Sequence, residues 1–342
     1  MADEADMAQL LKTLKQVKRL IPPLSPSFHK GQAGRTLVIG GSENYTGAPY
    51  YACMSSMLLG ADMGHILCDN EAGSVIKSYS PDLIVFPILR QSNDQSSEQS
   101  DVDAMMDKVT PLFDRMSSVS LGPGLGRDAL MQKTAAAIVQ TLKERKMPLV
   151  IDADGLWLIK NEPNLVQGYL ECVLTPNVVE FGRLAEAAGL KEAMKKESKE
   201  KQCLLLSKTL GVTIVQKGPK DYISNGKETL VVDMPGGLKR CGGQGDVLSG
   251  TMGTFLSWQA AYRAGLWEED TEDHMDAERC MLLAAFGACA TTRFCSRHAF
   301  DTKGRGMMAT DLVASVGDAY KALFDSPEEQ VQRILGDRDA KI

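Results

Sequence analysis

Four short apolar runs in this chain each break off into a loop of small, acidic or amide residues, and this recurrence restricts the fold more than any other feature. Thr36-Leu37-Val38-Ile39 runs into Gly40-Gly41-Ser42, and Val119-Ser120-Leu121 into Gly122-Pro123-Gly124-Leu125-Gly126. Leu149-Val150-Ile151 runs into Asp152-Ala153-Asp154-Gly155, and Val173-Leu174 into Thr175-Pro176-Asn177. Ile66-Leu67 and Leu83-Ile84-Val85-Phe86 read as two further strands, and a helical pattern follows the first run as far as Gly60. Strands that alternate with helices predict an α/β fold: a mostly parallel central sheet with helices on both faces, three layers in all. Loops at the carboxyl ends of such strands are where open α/β sheets bind ligands. Farther along, Val212-Thr213-Ile214-Val215-Gln216 enters the turn Lys217-Gly218-Pro219-Lys220-Asp221, and Tyr222-Ile223 starts another strand. That half of the chain is predicted to be partly antiparallel.

The stretch from Gly236 to Gly250 (GGLKRCGGQGDVLSG) carries the clearest chemical signal. Glycines 242, 243 and 245 let backbone N–H groups turn inward, since residues without a Cβ reach positive φ at little cost, and such a turn makes an anion-binding nest. Val247, Leu248, Met252, Phe255 and Leu256 then recur at helical spacing, which puts the nest at a helix N-terminus. Unpaired N–H groups and the macrodipole favour phosphate or a developing oxyanion there. Asp246 falls in the first turn. A carboxylate beside an anion hole can take the proton of a hydroxyl as that oxygen attacks a phosphoryl group. The plainer alternative is a helix-start acid behind a tight turn. Ser249, Gly250 and Gly253 continue the helix with small residues, so a second helix or a nucleotide must approach that face closely.

Asp152, Asp154, Asn177 and Glu180 gather acids and an amide at strand ends. That suits a hydrated magnesium ion carried on substrate phosphates, because this metal keeps several waters and needs few protein ligands. Helix capping by Asp154 and Asn177 would explain each of these two singly. The loop from Gly122 to Gly126 lacks the GxGxxG spacing of a dinucleotide fingerprint.

The ends and the inserts read as packing or surface. Leu10, Leu11, Leu14, Val17 and Ile21 form one apolar stripe closed by Pro22-Pro23, which predicts a docked N-terminal helix; a membrane-surface helix is the alternative. The polar run Gln91 to Asp101 is expected to be a surface loop, the charged run Lys191 to Lys201 a solvated helix face, and Met281 to Ala290 a buried helix. The organisation expected is an N-terminal helical extension over 1–23, one catalytic domain over 24–325 and a tail over 326–342. A net charge of −6 argues against nucleic-acid binding, and no apolar run is long enough to span a bilayer. Eight cysteines with no CxxC pair read as reduced thiols, and the acids Asp3, Glu4 and Asp6 favour the cytoplasm over a mitochondrial matrix. The four histidines lie far apart and give little support to a histidine-based metal site or a Ser-His-Asp triad. A homo-oligomer stays open.

Taken together, these loops resemble the ATP-dependent NAD(P)H-hydrate dehydratases of the ribokinase-like fold. The likeness covers roughly residues 24 to 324. It rests on His29-Lys30-Gly31, Val38 to Ser42 with Tyr45 to Pro49, Ile76-Lys77-Ser78-Tyr79, Gly122 to Arg127, Asp152 to Leu156, Leu174 to Phe181, and Gly242 to Gly250. The resemblance implies a hydro-lyase that uses ATP to restore NADH and NADPH from the S form of their hydrates. Asp246 would be the base, and Gly243, Gln244 and Gly245 the anion hole. Gly124, Asn177, Val178, Val179, Glu180, Phe181, Gly182, Arg183, Leu184 and Asp246 would contact the hydrated nicotinamide nucleotide. Lys217, Gly218, Pro219, Lys220 and Asp221, with Gly236, Gly237, Leu238, Lys239, Arg240, Cys241, Gly242, Gly243, Gln244 and Gly245, would hold ATP. The Asn177-x-x-Glu180 pattern implies magnesium held by Glu180 through water. Sugar kinases of this fold usually carry Ala or Thr where Gln244 stands, and Gly-Gly-Gln-Gly-Asp is similar to the eukaryotic, ATP-using branch. Two alternatives remain at this level: a vitamin-precursor kinase that stops at the phosphorylated product, and a nucleotide-binding sensor without turnover.

Overall fold

The computed structural model describes residues 2–92, 98–267 and 274–327, with side chains placed from residue 8 onward and from residue 100 in the second segment. Among the described residues, nine strands form one sheet: β1 (Arg35–Ile39), β2 (Met63–Asp69), β3 (Ile84–Leu89), β4 (Ser118–Leu121), β5 (Leu149–Ile151), β6 (Cys172–Leu174), β7 (Thr213–Gln216), β8 (Asp221–Ser224) and β9 (Thr229–Val232). Their order is β3-β2-β1-β4-β5-β6-β7-β8-β9. Every pairing from β3 through to β7 is parallel, and β7-β8 and β8-β9 are antiparallel. The predicted mixture of parallel and hairpin pairing is therefore present, with the hairpins at one edge.

Period-two alternation sorts the strand side chains between two helical layers. Val150, Val173, Val215, Ile223 and Val232 face one core. Leu149, Ile151, Cys172, Leu174 and Ile214 face the other. The first core is closed by helices α1 (Ala2–Arg19), α2 (Gly47–Leu59), α10 (Gln244–Arg263), α11 (Ala277–Lys303), α12 (Ala309–Ala314) and α13 (Val316–Tyr320). The second is closed by α4 (Glu98–Phe113), α5 (Ala129–Glu144), α6 (Asp154–Asn161), α7 (Val178–Ala187), α8 (Lys191–Met194) and α9 (Lys199–Leu210). A short α3 (Asn70–Tyr79) covers β2 and β3.

Helix α10 lies deeper than its neighbours. Its small residues permit this: a Cβ on Gly250 would sit 1.9 Å from the carbonyl oxygen of Ala52 in α2. On the sheet side, Ser118 and Ser120 of β4 donate hydroxyl bonds to the carbonyls of Gly253 (2.6 Å) and Ser249 (2.9 Å). The close neighbours of the small-residue face are thus α2 and β4, which answers the choice between helix and nucleotide in favour of protein.

The N-terminal stripe docks on the same layer. Leu14, Val17 and Leu20 are buried, and at about 1.5–3 kcal/mol for each fully buried aliphatic side chain their contribution explains why this helix packs on α11. One surface expectation needs correction, and a second gains detail. Within Gln91 to Asp101, residues 93–97 lie outside the described segments, and α4 already begins at Glu98 because Val102, Met105, Val109 and Phe113 form a buried helical stripe. The charged run from Lys191 to Lys201 is a solvated helical surface as expected, divided between α8 and α9, with Met194 alone in it buried. Residues 328–342 of the expected tail also fall outside the described segments. Among the described residues, no helix is long and apolar enough to cross a membrane, and all eight cysteines are free thiols.

Candidate active site

Strands β4, β5, β6 and β7 are neighbours in the sheet, so the loops at their carboxyl ends lie side by side, and α10 starts beside them. Gly243 is the N-cap of α10 and alone among glycines 242, 243 and 245 has positive φ (+91°). The expectation that all three glycines use that freedom is therefore corrected. Gln244 and Gly245 already belong to the helix. Its first N–H groups remain as donors for an anion. The Gln244 amide folds back and donates to the Lys239 carbonyl (3.0 Å), which braces the turn from inside.

Beneath Gly245 lies a charged pair that joins distant parts of the sequence. The Lys217 ammonium, at the end of β7, donates to Asp152 Oδ1 at 2.8 Å. Ser249 Oγ donates to the other oxygen of Asp152, also at 2.8 Å. A Cβ on Gly245 would stand 3.3 Å from Asp152 Oδ2 and 3.6 Å from Lys217 Nζ. Asp246, half-buried in the first turn of α10, shares this environment. Burial, reinforced by the Asp152 charge and opposed by Lys217, pushes its pKa up to about 7. A carboxyl group with that value is suited to exchange protons near neutrality.

Lys217 is the cation of the cluster. Burial lowers its pKa, but the charges of Asp152, Glu180 and Asp246 outweigh burial and hold it above the ordinary lysine value. Its backbone N–H donates to the Pro176 carbonyl at 2.9 Å, tying the β7 loop to the start of α7. There Asn177 caps α7 by accepting from the N–H groups of Val179 and Glu180, while Glu180 Oε2 accepts from the Asn177 N–H at 2.8 Å. The capping reading of Asn177 is thus present in the structure. For Asp154 it fails, because this residue gives no cap bond and accepts instead from Gly126 N–H and Arg127 Nε.

The other sequence candidates divide by burial. Asn177, Val178, Val179, Gly182 and Arg183 are exposed on α7, whereas the Phe181 and Leu184 side chains are buried in the core. Gly124 sits in the β4 loop with its carbonyl accepting from Ser42 Oγ (3.0 Å) and the Gly41 N–H (3.1 Å). In the turn from Lys217 to Asp221, Asp221 is buried and paired with Arg293 of α11, while Pro219 and Lys220 are exposed. Leu238, Arg240 and Gly242 are exposed, and Lys239 Nζ donates to the Met307 carbonyl. Gly237 N–H donates to Ser296 Oγ of α11, Gly236 lies beside the same serine, and Cys241 packs half-buried against the first core.

The magnesium expectation changes in detail. Both oxygens of Asp152 and both of Asp154 already have partners, and among the described residues no group of three or more His, Cys, Asp or Glu side chains could hold a metal ion. Glu180 differs: one of its oxygens keeps its acceptor capacity. Burial raises its pKa, with Lys217 and the Asn177 N–H pulling the other way. The sequence gives no sign of the pairing of Asp152 with Lys217 and Ser249, or of Arg293 with Asp221. No local pattern announces contacts between residues 65, 97 or 72 positions apart.

A family model described as NAD(P)H-hydrate dehydratase matches residues 36–316. A protein of Schizosaccharomyces pombe named ATP-dependent (S)-NAD(P)H-hydrate dehydratase is 49% identical over 96% of this chain and 98% of its own. A human protein of the same name is 43% identical, over 92% and 85% respectively. Among solved structures, a ribokinase-like superfamily protein from Enterococcus faecalis superposes with a TM-score of 0.67 at 19% identity, covering 90% of this chain and 94% of its own. An ADP/ATP-dependent NAD(P)H-hydrate dehydratase from Bacillus subtilis, co-crystallised with ATP and Mg2+, gives 0.62 at 18% identity, covering 91% and 97%. These two show the fold.

Proposed function

The chain belongs to the NAD(P)H-hydrate dehydratase family, and from that premise we propose a division of labour among its strand-end residues. Its activity is the ATP-driven dehydration of the S form of hydrated NADH and NADPH, which restores the intact cofactors. ATP is the co-substrate.

The hydrate carries a hydroxyl on a ring carbon bonded to nitrogen, and hydroxide is a poor leaving group. Asp246 takes the hydroxyl proton as that oxygen attacks the γ-phosphorus of ATP; the bond to ADP breaks and ADP leaves with the electron pair. The ring nitrogen then expels phosphate, and loss of a proton from the adjacent carbon restores the double bond. One ATP is consumed for each cofactor recovered. The N–H groups of Gly243, Gln244 and Gly245 hold the transferring charge, and Lys217 adds its ammonium. The observation that carries this reading is Asp246, with its pKa near 7, standing in the first turn of α10 beside that donor array.

Gly124 and the exposed residues Asn177, Val178, Val179, Gly182 and Arg183 form the face for the hydrated nucleotide. Phe181 and Leu184 support that face from within. The turn from Lys217 to Asp221 and the run from Gly236 to Gly245 take ATP. Magnesium fits this donor set, since the ion needs one or two carboxylates besides phosphate oxygens; Glu180 would hold it through water, and it would neutralise phosphate charge. Eight free thiols support a reducing compartment, for which we infer the cytoplasm.

A coupled assay with hydrated NADH, ATP and magnesium tests the reading. Recovery of dihydronicotinamide absorbance in step with phosphate release is expected. ATP consumed with a stable phosphorylated product would identify a kinase instead, and nucleotide binding with neither signal would identify a sensor.

A further inference from the structure

Asp152 has no role in the reaction described so far, although it is among the most deeply placed charges in the molecule. It is 2% exposed at the end of β5. Its backbone is fixed by two bonds, from its own N–H to the Leu121 carbonyl and from the Gly155 N–H to its carbonyl. Its side chain is fixed by two more, from Lys217 Nζ and Ser249 Oγ. Ser249 lies one helical turn beyond Gly245 and reaches the Gly245 carbonyl as well, at 3.0 Å. One carboxylate thus connects the β7 cation, the first turn of α10 and the end of β5 directly below the turn that faces the phosphate. Lys217 spends one of its three N–H groups on Asp152 and makes no other side-chain bond among the described residues. Two remain for phosphate oxygens.

Resting on the dehydratase reading, we propose that Asp152 is a positioning residue for phosphoryl transfer: it anchors the Lys217 ammonium under the glycine turn and presents a fixed negative charge to Asp246. The first effect places a cation where the transferring group must pass. The second keeps Asp246 a stronger base than a solvated carboxylate. The charges that face Asp246 are Asp152 from β5 and Lys217 from β7; Glu180 on α7 faces Lys217 and Asp152 in turn. Burial is the largest cause of the raised Asp246 value, and Asp152 adds to it. A buried ion pair that served packing alone would not need its free N–H groups beside an anion site, nor a second carboxylate within its field.

The substitution Asp152→Asn separates the two roles, because the amide keeps an oxygen for Lys217 and the same volume while the charge is lost. In ligand-free protein, the Asp246 carboxyl carbon can be titrated by 13C NMR, its resonance assigned by its absence in Asp246→Asn. The midpoint should fall by about one pH unit in Asp152→Asn. The acid limb of kcat/KM should move down with it, while KM for ATP stays within about twofold. An unmoved midpoint, or a raised KM for ATP with an unmoved limb, would overturn the proposal. If Asp152→Asn does not fold, Lys217→Gln leaves Asp152 unopposed, and the midpoint must then rise; no rise also overturns it. Wild-type protein without turnover would refute the dehydratase reading, while the ligand-free titration would still decide the case of Asp152.

Discussion

The Arg293 guanidinium grips the Asp221 carboxylate with two nitrogens, Nε to Oδ2 at 2.6 Å and Nη2 to Oδ1 at 2.8 Å. Its remaining donors reach the carbonyls of Gly218, Pro219 and Met234. One side chain of α11 therefore sets the shape of the turn proposed to take ATP. A lysine cannot reproduce a planar fork with five donors.

Arg293→Lys should accordingly raise KM for ATP about tenfold or more and lower stability by about 2–3 kcal/mol, since it leaves Asp221 and three carbonyls short of partners. Recovery of the hydrate site should be spared: KM for hydrated NADH should change less than threefold. Steady-state kinetics with each substrate varied in turn, and a urea melt, check both parts.

Asp246→Asn should abolish turnover and keep ATP affinity within about twofold, because the side chain retains its size and loses its basicity. Its effect on stability has the opposite sign. Folded Asp246 holds its proton up to about pH 7, whereas the unfolded chain releases it near pH 4. Across that interval the folded state binds more protons, so the stability contributed by this group is present at low pH and is lost as pH rises through 7. The variant should then be more stable than the parent at pH 8, by about 1–3 kcal/mol after allowance for the water that reaches the group, and equal to it near pH 4. Melts at the two pH values measure this.

The acid limb of the parent enzyme should follow the same group. kcat/KM is expected to rise about tenfold per pH unit below pH 7 and to level above it, with the limb absent in any residual activity of Asp246→Asn. A limb near pH 4 would remove Asp246 from the role of base.

Gly243→Ala and Gly245→Ala should differ in kind. At Gly243 the positive φ excludes a comfortable L side chain, and a Cβ would stand 2.4 Å from that of Ala309. That variant should lose at least about 2 kcal/mol of stability together with activity. At Gly245 φ is ordinary and the nearest atoms are Asp152 Oδ2 and Lys217 Nζ at 3.3 and 3.6 Å. That variant should fold nearly as well as the parent but lose about tenfold or more in kcat, since the methyl group sits over the charged pair. A thermal melt and kcat for each variant distinguish the two patterns.

Much of this architecture was legible along the chain. The apolar runs at Val38, Val119, Leu149 and Val173 are strands because three or four consecutive buried residues between turn formers have few other uses in a covered sheet. The position of Asp246 in the first turn after the glycines was legible because a helix start, a glycine turn and an acid lie within five residues. What stayed hidden has a common cause. The bond from Lys217 to Asp152 and the grip of Arg293 on Asp221 depend on which strands become neighbours, and sheet order is not written in any local window. The start of α4 was masked by its own polar first turn, and the conformations of Gly242 and Gly245 by the resemblance of all glycines in sequence.

Helix α10 gives the centre an unusual mechanical footing. From Val247 to Gln259 every residue of it is buried, so the donors at its first turn cannot loosen unless the innermost layer of the molecule opens. Heat should therefore extinguish catalysis and dissolve the fold in one step, with no inactive but folded species between them, and amide exchange along this helix should be among the slowest in the chain.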